Sequence, residues 1–260
     1  MPDAEYRAHP ALAQSGAKTL LDSPARFRWE QQNPHPTTDA QQVGILTHAL
    51  ILGQEHNFVP KTWDARTKAG KEEAQAVLDA GGAVISPDDW DTAHAIAGAV
   101  ANHPTARGMF TDGDAEVSLF ATCPITGVEV KGRADWLTAN GIVDLKTTRD
   151  ASPKGFAKSV AQYEYALQAA WYLNLAELNN IHMTINDFVF VAVEKTPPYL
   201  IGVYRLDYDA LNYARLLMEE AREIYRDCSA IDIWPDWINC ADGVETLSLP
   251  GWYYKQGLPL

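Results

Sequence analysis

The sequence predicts an α/β fold, a central mixed β-sheet flanked by helices in three layers. Three observations carry this. Helical patterns dominate the chain up to Pro104; from Ala115 the period changes to two, giving EVSLFATC, VEVKGRADWL and GIVDLKTT; and the longest helical pattern, SPKGFAKSVAQYEYALQAAWYLNLAELNN, separates these from two more strand patterns, FVFVAVEKT and YLIGVYRLD. Strand runs interrupted by a long helix suit a sheet with a crossover.

Each element has a local cause. Ser15 suits an N-cap before GAKTLLDS, and Ser23-Pro24 opens ARFRWEQQ. NPHPTT is a loop, and AQQVGILTHALILG is a helix closed by Gly53. Residues 54–68, with Pro60, read as loop. KAGKEEAQAVLDAGG is a helix with a Gly-Gly stop; a short strand follows, then Ser86-Pro87 opens another helix. The loop PITG and an Asn140-Gly141 turn join the three period-two strands. Ser152-Pro153 enters the longest helix, and DYDALNYARLLMEEAREIYRDC is amphipathic. The tail from Ala230 is rich in Trp, Pro and Gly, a loop that packs by its aromatics. The whole, residues 1–260, reads as one domain without repeats.

Composition excludes several classes. No apolar run approaches the roughly 18 residues of a membrane span, and MPDAEYRAHPALAQ lacks the apolar centre of a secretory signal. Cys123, Cys228 and Cys240 are odd in number and scattered, giving neither a metal pair nor a disulfide framework and suiting a reduced, cytoplasmic setting. The net charge of -13 argues against a general nucleic-acid binder. Yet from Lys131 to Lys158 six basic residues face three acidic ones, while Asp207 to Glu245 carries ten acids and three arginines.

The chemistry concentrates in GRADWLTANGIVDLKTT, residues 132–148. With Asn140-Gly141 as the turn, Leu137 pairs with Asp144 and Asp135 with Lys146, so Asp135, Asp144 and Lys146 share a face. With PITG as the previous loop, Cys123 pairs with Val128 and Glu116 falls opposite Asp135. One lysine does not balance three carboxylates, whereas a divalent metal does, and oxygen ligation favours Mg²⁺ or Mn²⁺. The pattern also suits a charged solvent face on an edge strand.

The order Glu116, Gly132-x-x-Asp135, Asp144-Leu145-Lys146 and Gln168-x-x-x-Tyr172 resembles the PD-(D/E)xK nuclease superfamily in its RecB-like branch. Gly44-Ile-Leu-Thr-His48 looks like that branch's helical Gly-x-x-x-His motif, and QSGAKTLLDSPARFRW resembles the start of RecE-type (exodeoxyribonuclease VIII) nuclease domains. The resemblance spans residues 10–235 and leaves 236–260 as an aromatic-rich tail. It implies a restriction-endonuclease-like core and a Mg²⁺-dependent exodeoxyribonuclease, with Mn²⁺ as an alternative ion. Linear double-stranded DNA would be digested 5′→3′, leaving 3′ single strands for recombination. Two ions would be held by Asp135, Asp144, His48 and the Leu145 carbonyl, with help from Glu116. Lys146 would orient water, and Gln168 and Tyr172 would position the DNA strand.

Other readings of these residues stay open. Gln168 and Tyr172 also suit a helix surface with an aromatic on its core edge, and His48 suits a satisfied core histidine. Arg26 and Arg28 suit a DNA phosphate or a surface ion pair; Arg133, Thr147 and Arg149 are further candidates for DNA contact. A ring-shaped homo-oligomer, implied by the resemblance, could line its channel with the 131–158 stretch, and a single-strand annealing protein is the implied partner. Three scattered cysteines exclude an iron–sulfur cluster of the four-cysteine kind, and no GxxxxGK[ST] occurs to bind ATP. The alternatives are an endonuclease or single-strand nuclease with the same metal site, or a non-catalytic DNA- or partner-binding module.

Overall fold

A computed structural model describes residues 1–33, 39–54, 56–237, 244 and 246–254. Cys240 and the centre of the predicted loop NPHPTT lie outside the described residues. The chain runs α1 (Asp3–Ala8), β1 (Leu12–Ala13), α2 (Gln14–Asp22), α3 (Pro24–Gln32), α4 (Asp39–Leu52), β2 (Phe58–Pro60), α5 (Lys68–Asp79), β3 (Ala83–Ile85) and α6 (Pro87–Asn102). It continues through β4 (Gly113–Thr122), β5 (Glu129–Thr138), β6 (Gly141–Thr148), α7 (Pro153–Tyr163), α8 (Tyr165–Leu178), β7 (Phe188–Glu194), β8 (Ile201–Tyr204), α9 (Tyr208–Ile231) and α10 (Gly251–Tyr254).

The six-stranded sheet is mixed, ordered β1-β5-β6-β7-β8 with β4 on the other edge of β5. β6 runs antiparallel to β5 and parallel to β7. On one face Val130, Leu167, Trp171, Leu175 and Met218 pack with α2, α8 and α9. On the other, Val143, Leu145, Val191 and Val193 pack against Ile96 and Val100 of α6. Each such side chain contributes about 1.5–3 kcal/mol on burial. No helix among the described residues is long and apolar enough to cross a membrane.

Serine caps lie where the sequence puts them before proline: Ser23, Ser86 and Ser152 accept from Arg26, Asp89 and Gly155 backbone N–H groups. Ser15 does not cap, because α2 begins at Gln14, two residues earlier than expected, after extended Ala13. Four other expectations are corrected. The segment 54–68 contains β2, which pairs in parallel with β3. The single long helix breaks at Glu164, left-handed at φ 55°, so α7 and α8 take different directions. The last amphipathic helix runs on to Ile231. The β5–β6 turn is Ala139-Asn140, since Thr138 pairs with Gly141 and Leu137 with Ile142.

Candidate active site

Two strands share one edge of β5: β1 pairs at Val130 and Lys131, and β6 pairs at Trp136 to Thr138. Residues 132–135 lie between them, where the sheet forks. The alternation of side chains also breaks here. Ala134 packs with Ile142 on the α8 side, whereas Trp136, two residues on, packs with Val143 on the α6 side. Across β4, Ala115 pairs with Trp136 and Val117 with Ala134, so Glu116 stands opposite Asp135, as expected, but in a left-handed conformation at φ 53°. This irregularity turns Asp135 into the fork.

There Asp135 Oδ2 accepts the Leu145 N–H at 2.9 Å and lies 3.5 Å from His48 Nδ1. His48 thus brings helix α4 to the fork from one layer. Gln168 of α8 reaches it from the other, its Nε2 donating to Asp144 Oδ1 at 2.6 Å. Asp144 Oδ2 is ion-paired to Lys146 Nζ but lacks an aligned hydrogen-bond donor. Lys146 Nζ also sits 4.8 Å from the Tyr165 ring centroid. The sequence reading passed over Tyr165; its signal was its position three residues before Gln168, on the same helix face.

The electrostatics follow from burial. It pushes Asp144 up to about 6, against the pull of Lys146. Asp135 is raised for the same reason. Glu116 is pushed up to about 7, first by burial and then by Asp135. Burial opposes the Lys146 charge, yet the Asp144 and Asp135 carboxylates outweigh it and hold the ammonium above its usual range. Burial and Lys146 lower His48 to about 4, so its imidazole is neutral at pH 7, the form that ligates metals.

Among the described residues no group of three or more His, Cys, Asp or Glu stands in a ready metal geometry. Lys146, Gln168 and the Leu145 N–H engage the carboxylate oxygens instead. The donor chemistry nevertheless fits a hard divalent ion. Two carboxylates and a neutral imidazole converge beside the Leu145 backbone, a donor set of hard oxygens with one nitrogen.

Tyr172 does something else. Its hydroxyl donates to the Arg133 carbonyl at 2.7 Å and accepts the Arg133 N–H at 3.1 Å, filling the rung between β1 and β6. Gly132 makes this approach feasible: a Cβ there would lie 2.6 Å from Leu175 Cδ1 and 3.0 Å from Tyr172 Cε1. Gly44 is under no such compulsion, since a Cβ would only touch Thr147 Oγ1 at 3.9 Å.

The remaining candidates lie elsewhere. Arg26 is ion-paired to Asp22 and lies over the Trp237 ring; Arg28 pairs with Asp232 at 3.2 Å and lies over Trp234. Both are engaged with their own chain. Arg149 is exposed just past β6, whereas Thr147 faces α4. Of the six basic residues in the 131–158 stretch, Lys131 is buried and the Arg133 and Lys146 side chains are only 10% and 16% exposed, whereas Arg149, Lys154 and Lys158 are exposed.

The family model for a PDDEXK-like domain of unknown function (DUF3799) matches residues 13–245. The chain belongs to this family. A solved structure, that of a presumed exonuclease from Eubacterium rectale, is similar at TM-score 0.66 and 15% identity over 99% of each chain, a likeness of fold. The structure of SSO0001 matches at TM-score 0.29 and 16% identity, over 72% of this chain and 87% of that one. No curated protein matches the sequence.

Proposed function

We propose that this PDDEXK-like domain is a metal-dependent nuclease that hydrolyses linear double-stranded DNA from its ends. The supporting observation is the convergence, in one fork, of Asp135, Asp144, Lys146 and His48 from β5, β6 and α4. His48, Asp135, Asp144 and the Leu145 carbonyl would hold the ion, Mg²⁺ or Mn²⁺, singly or as a pair. When bound, it polarises the scissile phosphate and makes water a better nucleophile.

The chain's own groups supply the rest. Neutral His48 offers a lone pair without charge repulsion. Gln168 fixes the Asp144 carboxylate. The Lys146 ammonium, kept charged by its carboxylates, balances the extra negative charge that develops as water adds to phosphorus and the ester oxygen leaves. Glu116 adds a third acid at the mouth. Tyr172 acts on the protein backbone and holds β5 in place.

End-dependence, 5′→3′ polarity, a 3′ single-stranded product for recombination, a ring-shaped oligomer, a single-strand annealing partner and a cytoplasmic setting rest on the resemblance to RecE-type nucleases. Within the stretch expected to line a ring channel, Lys131, Arg133 and Lys146 are turned inward, so a ring would have to draw on Arg149, Lys154 and Lys158 there. The test is digestion of linear duplex labelled at the 5′ or 3′ end, with Mg²⁺, Mn²⁺ or EDTA, beside Lys146→Ala. Metal-dependent release of the 5′ label, lost in the variant, is expected. Cutting of circular or single-stranded DNA alone would shift the assignment to an endonuclease or single-strand nuclease. Inertness on all three would leave a binding module.

A further inference from the structure

Helix α1 packs beside the fork, against Lys131 and Arg133 of β5, and buries none of its own residues. It is held by an edge contact of Tyr6 with Phe120 of β4 and by two cations of β5. Arg133 Nη1 donates to Asp3 Oδ1 at 3.1 Å and Nη2 to the Met1 carbonyl at 3.1 Å, and its guanidinium lies 4.3 Å from the Tyr6 ring centroid. Lys131 Nζ donates to the carbonyls of Tyr6 and His9 at 2.7 Å each, with Arg7 O at 3.5 Å. Arg133 Nε bonds Ser118 Oγ at 3.0 Å and lies 4.0 Å from Glu116 Oε2. These are oxygen contacts to a carboxylate and to carbonyls, the kind that phosphodiester oxygens make with Arg and Lys.

Four observations say that the cover is displaceable and the cations are a site. Asp3 is 58% exposed and shared with Arg7 of its own helix, so its hold on Arg133 is that of a surface pair. Lys131, although buried, meets carbonyls but no carboxylate. Residues 131 and 133 also stand on one side of β5, about 6.6 Å apart along the strand, and Arg133 is two residues before Asp135. The segment 3–8 lies outside the residues matched by the family model.

We propose that Arg133 and Lys131 form a phosphate subsite for the strand leading into the fork, and that α1 occupies it in the free protein, with the Asp3 carboxylate standing where a backbone phosphate binds. This rests on the nuclease reading above and adds the path of the substrate. DNA must displace α1 to reach both cations, so Asp3 competes with DNA for Arg133.

The test uses the full chain and fluorescence anisotropy of a fluorescein-labelled linear duplex, with Ca²⁺ in place of Mg²⁺ to prevent cutting. Asp3 is exposed, so Asp3→Asn leaves the fold intact. It is expected to bind duplex about two- to fivefold tighter than wild type. Arg133→Gln should bind more weakly, with a salt slope shallower by about 0.9, and adding Asp3→Asn to it should bring no further gain. Hydrogen exchange of the α1 amides should quicken when duplex is added to wild type. If wild type binds and cuts DNA but Asp3→Asn binds no tighter, the subsite is wrong and the nuclease reading stands. If no variant binds or cuts DNA, the nuclease reading falls, and this inference with it.

Discussion

Helix α8 carries an aromatic ring under each of two buried cations, and the two regions differ in everything else. Lys146 lies over Tyr165 and faces Asp144 and Asp135; Arg222 lies over Trp171 at 4.7 Å and faces Cys123, whose Sγ is 4.0 Å away. The first ammonium is held above its usual range by the carboxylates, while burial lowers Arg222, whose Nε and Nη2 lack hydrogen-bond partners. A ring stabilises a cation, but full charge in a dry place needs an anion of matching strength. By that measure the Lys146 end of α8 is built for chemistry and the Arg222 end for packing.

The strongest way to break this contrast is Lys146→Ala. It should lower DNA cleavage about 10²- to 10³-fold, measured by release of end label. It should also destabilise the protein more at pH 8 than at pH 5. Asp144 already titrates near 6 because of burial, and without the lysine its ionisation above that pH is uncompensated. Full activity in this variant would remove the lysine from the mechanism.

Tyr172 follows Trp171 on α8. Tyr172→Phe strips the rung from Arg133 and should cost about 1–3 kcal/mol in urea unfolding, with faster amide exchange at Arg133. An unchanged midpoint would mean that another group closes the fork. Arg222→Met, at the packing end, should leave cleavage intact and stability within about 1 kcal/mol of wild type or above it. A loss of more than about 3 kcal/mol would show that the guanidinium is paired after all.

The smallest effect concerns Glu116. Its folded value, pushed up to about 7 by burial, lies above its ordinary one. The folded state therefore favours the protonated acid, and stability falls as pH rises from about 4.5 to 7. Glu116→Gln should flatten that part of the thermal-midpoint profile; a profile identical to wild type would assign the slope to other groups.

How much of this the sequence foretold depends on which side of β5 is considered. Local turn chemistry fixed the β4–β5 register: the Cys123 N–H donates to the Val128 carbonyl and the Cys123 carbonyl accepts the Gly127 N–H, and Glu116 falls opposite Asp135. The β5–β6 register slipped by two residues because Gly141 reads as a turn glycine. Its real constraint is a neighbour, since a Cβ there would lie 2.7 Å from the Asp187 carbonyl, which no local pattern announces. The shift is even, so Asp135 and Asp144 still meet. The bonds of Tyr172 to a backbone 39 residues away and the docking of α1 by Lys131 are tertiary facts without periodic signature. Helix α1 is too short and too polar for its pattern to stand out.

The parallel pairing of β6 with β7 has a kinetic meaning. A parallel pair cannot close through a hairpin, so the chain between Thr148 and Phe188 must leave the sheet and return, and Gln168 rides on that excursion. His48, Asp135, Asp144 and Gln168 therefore come together only after this long connection has closed, a step that chain entropy makes slow. A nascent or partly unfolded chain can hold the acidic hairpin alone, but without its helical neighbours. Cleavage competence should thus be among the last properties to return on refolding, trailing the recovery of secondary structure.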